Sequence, residues 1–119
     1  MRKRDDTVRT EAAIVFPLLP GKREALEQFV AELQKRNEEH RKLHATVEHE
    51  SWFLQPTPKG DVVIVYLVSP DSTEVFAELA VSRQPFAIWF REQVLELSGL
   101  DFTILPPFSL PSRILHWER

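Results

Sequence analysis

The chain has no cysteine among its 119 residues. That excludes disulfides, thiolate metal sites and a thiol nucleophile, and it fits a reducing compartment. Glycine is scarce, with three in all, and none belongs to a phosphate-cradling loop, a Gly-x-Ser-x-Gly elbow or a dinucleotide-binding fingerprint. Long hydrophobic runs are missing as well. The longest is Val62 to Val68, far short of the ~20 apolar residues a membrane-spanning helix needs. No signal-peptide hydrophobic region follows the basic start. Neither sign of charge dominates: 15 basic and 18 acidic residues leave a net charge of -3. Nothing global therefore draws the chain to nucleic acid or to an anionic membrane. The expectation is a cytoplasmic protein with neither nucleic acid nor membrane as partner.

A chain of this length has room for one domain with a single core. Arg2-Lys3-Arg4 is followed at once by Asp5-Asp6, the make-up of a solvated chain end. Residues 1–10 are expected to form a flexible N-terminal arm and residues 11–119 a single α+β domain.

Within that domain the order of periodic segments is strand, helix, strand, strand, helix, strand. Ala12 to Phe16 is apolar in both alternating sets, ends at Pro17 and suits a central strand. Lys22 to Leu43 has helical spacing, with the core stripe Leu26, Phe29, Val30 and Leu33. From Thr46 to Gln55 the period is two, with Val47, His49, Ser51 and Phe53 on one face and Glu48, Glu50, Trp52 and Leu54 on the other. Pro56 to Asp61 has the turn chemistry of a hairpin longer than two residues, leading into the strand Val62 to Val68. Asp71 or Ser72 caps a short helix over Thr73 to Ala80. A longer helix runs from Arg83 to Leu97, with the stripe Phe86, Trp89, Phe90, Gln93, Val94 and Leu97, and stops at Ser98-Gly99. The proline-rich stretch Leu105 to Pro111 is expected to lie extended over the protein or a partner subunit. A last strand is expected over Arg113 to Trp117, with either His116 or Trp117 facing inward.

This order describes a ferredoxin-like βαββαβ sandwich, an antiparallel four-stranded sheet with its helices on one face. The uncovered face should then read polar, but Val62, Ile64, Tyr66 and Val68 occupy one face of their strand while Val63, Val65 and Leu67 occupy the other. A bare apolar sheet face of that size marks an interface. A second copy packed sheet to sheet is the economical cover, which makes the chain a homodimer.

Three segments carry a resemblance of architecture: the opening strand with Leu19-Pro20-Gly21-Lys22, the strand His49-Glu50-Ser51-Trp52-Phe53, and Ser82-Arg83-Gln84-Pro85-Phe86. Between about Glu11 and Trp117 the chain resembles the dimeric α/β barrel superfamily, which includes antibiotic-biosynthesis-type monooxygenases and many small domains without an assigned function. The resemblance implies dimerisation into an α/β barrel and a pocket between the sheet and its helices. It also implies a small apolar organic ligand and, if the chain is an enzyme, cofactor-independent oxygenation, isomerisation or cyclisation. The superfamily hosts many chemistries, so a non-catalytic interaction module stands as the alternative.

Past Leu33 the apolar stripe of the first helix continues into Asn37, His40 and His44. If that face turns inward, His40 or His49 is the candidate catalytic base, since imidazole titrates near neutrality. Asn37, Tyr66, Trp52, Phe86 and Trp89 are the candidate ligand-binding residues, with Asn37 or Tyr66 stabilising an oxyanion. If the helix leaves the core there, the histidines are solvated. Glu48 and Glu50 form a carboxylate pair beside Trp52, a pairing that on an outer strand more often faces solvent or arginine. His40 and His44 also have the i, i+4 spacing of two metal ligands, with His49 or Glu48 as further donors. No glutamate lies between them, and Arg41-Lys42 disfavours a cation. The expectation is therefore no metal and no cofactor.

Overall fold

The computed structural model describes residues 10–104 and 111–119. The elements are β1 (Thr10–Pro17), α1 (Arg23–Lys35), α2 (Asn37–Leu43), β2 (His49–Thr57), β3 (Gly60–Ser69), α3 (Ser72–Val81) and α4 (Pro85–Ser98). The strands form an antiparallel three-stranded sheet in the order β1-β3-β2. The doubly apolar strand β3 is central, as its composition requires.

One face of the sheet carries the core. Ala12, Ile14 and Phe16 of β1 and Val63, Val65 and Leu67 of β3 are all buried there. They pack against Leu26, Phe29 and Leu33 of α1, Val75 and Leu79 of α3, and Phe86, Phe90, Val94 and Leu97 of α4. The α1 and α4 stripes expected from helical spacing are these residues. Asp71 is the N-cap of α3 and accepts from the Glu74 N–H at 3.2 Å. Pro85 opens α4, where a missing N–H costs little, and Gly99, at φ 80°, supplies the left-handed residue that ends it.

Among the described residues no helix lies against the other face. Cross-strand partners share a face, so the register sets Ala13, Tyr66 and Ser51 in one row and Val15, Ile64 and Phe53 in the next. Val15 is 59% and Phe53 55% exposed. The α+β class, the antiparallel sheet and the one-sided helices are compatible with a ferredoxin-like fold.

Three expectations need correction. Arg113 to Trp117 forms no strand: these residues are irregular and exposed, with both His116 and Trp117 open to solvent. Register is fixed by a buried face, and here neither alternating set is buried. The β2-β3 hairpin closes through a two-residue turn, Pro58-Lys59, because the ladder continues to Pro56–Asp61 and Thr57–Gly60. Gly60, at φ 122°, meets the backbone demand of that turn. Thr10, placed in the arm, is the first residue of β1, where its hydroxyl donates to the Ser69 carbonyl at 2.9 Å. The Arg2-Lys3-Arg4 cluster and most of the proline-rich stretch, residues 105–110, lie outside the described residues.

Candidate functional site

The single long helix expected from Lys22 to Leu43 is two helices. Arg36, at φ -101° and ψ 34°, leaves helical geometry between α1 and α2. Its guanidinium pairs with Glu39 through Nε at 2.8 Å and Nη2 at 3.1 Å, and it also lies over the rings of Phe86 (4.9 Å) and Trp89 (4.6 Å). These contacts tie the bend to α4, an arrangement that cation–π attraction favours. Beyond the bend, α2 sets His40 and the residue ending it, His44, against Phe90, with ring centroids at 6.0 and 6.1 Å. The two imidazoles stand 4.9 Å apart, edge to face. The histidines therefore face in, and His44 is only 8% exposed.

The third member of the cluster comes from β2. Glu50 pairs with Leu67 and Trp52 with Val65, both partners being buried on the helix side, so the two side chains point toward α2 and α4. Glu50 Oε1 lies 3.3 Å from His44 Nδ1 and 3.2 Å from His40 Nε2. Glu50 Oε2 accepts a hydrogen bond from Trp52 Nε1 at 2.6 Å. The His40 contact has ion-pair distance without hydrogen-bond direction, so His40 Nε2, like His44 Nε2, is buried without a hydrogen-bond partner among the described residues. Unpartnered buried nitrogens are uncommon and call for an explanation.

Burial alone would push the Glu50 carboxyl up. The close approach of His40 and the hydrogen-bonded His44 outweighs that and holds it far below the usual carboxylate range. Glu50 is thus a fixed anion, the orienting group of the cluster and not its proton carrier.

The cluster forms the floor of a cleft of about 530 Å³ between α1, α2 and the start of β2. Val30, Leu33, Val47 and Trp52 supply apolar wall, while Gln34, Asn37, Arg41 and Glu48 supply polar groups at the rim. The lining is mixed, with more polar and charged side chains than apolar ones, and polar groups converging beside apolar wall are a usual feature of small-molecule sites.

Of the residues singled out in the sequence, His40, Asn37 and Trp52 line this cleft. Phe86 and Trp89 stand behind it, Phe86 with its ring 6.1 Å from that of His40. His49 borders the cleft at the start of β2, but its ring lies on the open sheet face, 5.9 Å from Tyr66 and with Nε2 3.3 Å from Ser51 Oγ. Tyr66 donates there to Glu11, which is also paired with Arg113. Neither His49 nor Tyr66 joins His40. The sequence reading undervalued His44 and Glu50. Their signal was a histidine pair at i, i+4 followed, on the next strand, by a carboxylate sharing a face with tryptophan. No family model, no curated protein and no solved structure matches the chain.

Proposed function

We propose that the chain forms a two-fold homodimer through its open sheet face, and that each protomer binds a small, largely apolar organic molecule in the α1-α2-β2 cleft and moves a proton on it. The observation that carries this reading is the Glu50–His44 pair. A carboxylate held at 3.3 Å from Nδ1 orients the imidazole, leaving Nε2 buried and without a partner. An imidazole so oriented is the arrangement of a general base, with the carboxylate stabilising the imidazolium that forms. His40 stands beside it as the second imidazole, and Asn37 at the rim is the group available to an oxyanion.

The matching substrate class is a small carbonyl compound with an acidic C–H next to the carbonyl. Proton removal leaves an enolate whose charge rests on oxygen, and return of the proton at another atom completes an isomerisation. The test is NMR with a set of aromatic ketones in deuterated buffer. Support takes the form of amide shifts confined to residues around Gln34, Asn37, His40 and Trp52, with C–H exchange that is lost in His44→Ala. Shifts on the open sheet face, or exchange unchanged in His44→Ala, would overturn it.

A second reading, an interaction module without catalysis, is favoured by the apolar residues exposed on the open face, Val15 and Phe53. The two readings part at the cleft: a buried imidazole pair on a carboxylate serves chemistry and adds nothing to a sheet-face dimer.

A further inference from the structure

We infer that His40, His44 and Glu50 form a binding site for a divalent first-row transition ion, with Trp52 orienting the carboxylate. One donor atom from each of the three residues lies within 4.8 Å of the other two. The closer separations, 3.2 Å from His40 Nε2 to Glu50 Oε1 and 3.3 Å from His44 Nδ1 to the same oxygen, are telling. Ligands about 2.0–2.1 Å from a tetrahedral ion stand about 3.3–3.4 Å from one another, so each imidazole is already spaced from the carboxylate as two ligands of one ion are, and the two histidine donors, within 4.8 Å, have only to close on each other.

A second, independent observation points the same way. A single shared proton bridges one donor and one acceptor, and it leaves the remaining nitrogens unsatisfied. His40 Nε2, one of the proposed donors, approaches Glu50 without hydrogen-bond direction and is buried with no hydrogen-bond partner among the described residues. An ion accepts electron pairs from all three residues at once, which a proton cannot do.

The donor chemistry selects the ion. Two imidazoles and one carboxylate suit zinc, iron, nickel or copper and not calcium or magnesium, which favour all-oxygen shells. Trp52 Nε1 holds Glu50 Oε2 at 2.6 Å, leaving Oε1 to coordinate, and such outer partners are typical of built metal sites. Two of the nearby cations are paired elsewhere, Arg36 with Glu39 and Arg41 with Glu38.

Three protein ligands leave at least one coordination position for water or for a ligand oxygen. This part rests on the reading of the cleft as the ligand site. It narrows the ligand to one presenting a carbonyl, carboxylate or enolate oxygen to the ion, and it moves the base from bare imidazole to metal-bound water.

The experiment is titration of chelator-treated, full-length protein with Zn²⁺ by indicator competition, and with Co²⁺ by visible absorption. The expected result is one ion per protomer, a Co²⁺ spectrum of low coordination number, and at least about a 100-fold loss of affinity in His44→Gln and in Glu50→Gln. Because Glu50→Gln and His44→Gln alter buried positions, His40→Ala, with its side chain 19% exposed, provides a folded control checked by circular dichroism. Affinity unchanged in folded His40→Ala, or abolished instead by His49→Ala, overturns the site. Ketone exchange that persists in chelator without Zn²⁺ uptake refutes the metal and keeps the proton-transfer reading. Stoichiometric Zn²⁺ binding with no ketone in the cleft does the reverse.

Discussion

Trp52 donates from Nε1 to Glu50 Oε2 at 2.6 Å, from two positions along the same face of β2, so a single strand supplies both the carboxylate and the group that aims it. Trp52→Phe keeps an aromatic ring against Phe16 and Phe29 and removes only the donor. A buried charged acceptor that loses its partner costs about 1–3 kcal/mol, which urea unfolding would read directly. A variant as stable as the wild type would mean that the bond orients nothing.

Glu50 predicts an acid-sensitive stability. Its folded-state pKa lies below the ordinary 4.5, so its contribution is fully present above that pH and is lost as pH falls through the folded value. The difference in unfolding free energy between wild type and Glu50→Gln should therefore shrink steadily as pH falls below about 4.5. A difference independent of pH down to the acid transition would show that Glu50 is not held by the imidazoles.

The open sheet face predicts association. Phe53 is more than half exposed, in one row with Ile64 and Val15 on the open face. Phe53→Asp should thus convert a dimer to a monomer in sedimentation equilibrium while keeping the wild-type circular dichroism, and it should remove the concentration dependence of the unfolding midpoint. A wild-type monomer at tens of micromolar would end the sheet-to-sheet reading.

Much of this architecture is legible in the sequence because it follows from period. Alternation in β2 places Glu50 and Trp52 on one face and His49 and Ser51 on the other, and the structure keeps that division. The α1 and α4 core stripes read equally well. What could not be read is direction. Whether His40 and His44 turn in depends on Arg36, whose departure from helical geometry is fixed by rings contributed from α4, a tertiary contact with no local signature. The fourth strand absent from the described residues has the same kind of cause: Arg113 to Trp117 buries neither of its faces, and a segment without a buried face selects no ladder.

Phe90 makes a prediction about the core beneath the cluster. Its ring contacts those of His40, His44, Phe29 and Trp52 at once. Phe90→Ala leaves a cavity under the imidazoles and should cost about 3–5 kcal/mol, measured by thermal or urea unfolding. A loss below 1 kcal/mol, roughly the cost of an isosteric swap, would mean that the cluster is held from the sheet side alone.

The bend at Arg36 separates the holding of the site from its chemistry. Arg36 touches neither histidine's ring nitrogens nor Glu50, yet it ties the start of α2 to Phe86 and Trp89 and, through Glu39, stiffens the first turn of the helix that carries His40. Stacking on two rings beside an ion pair is favourable, and the ammonium of lysine cannot reproduce a planar fork that stacks and pairs together. Arg36→Lys should accordingly lose stability despite keeping the charge. It should also broaden the His40 and His44 imidazole signals in NMR while those of His49, on the opposite sheet face, stay sharp. Equal stability in Arg36→Lys, with all three histidine signals unchanged, would place the cause of the bend in the backbone of α1 and α2 and not in the arginine.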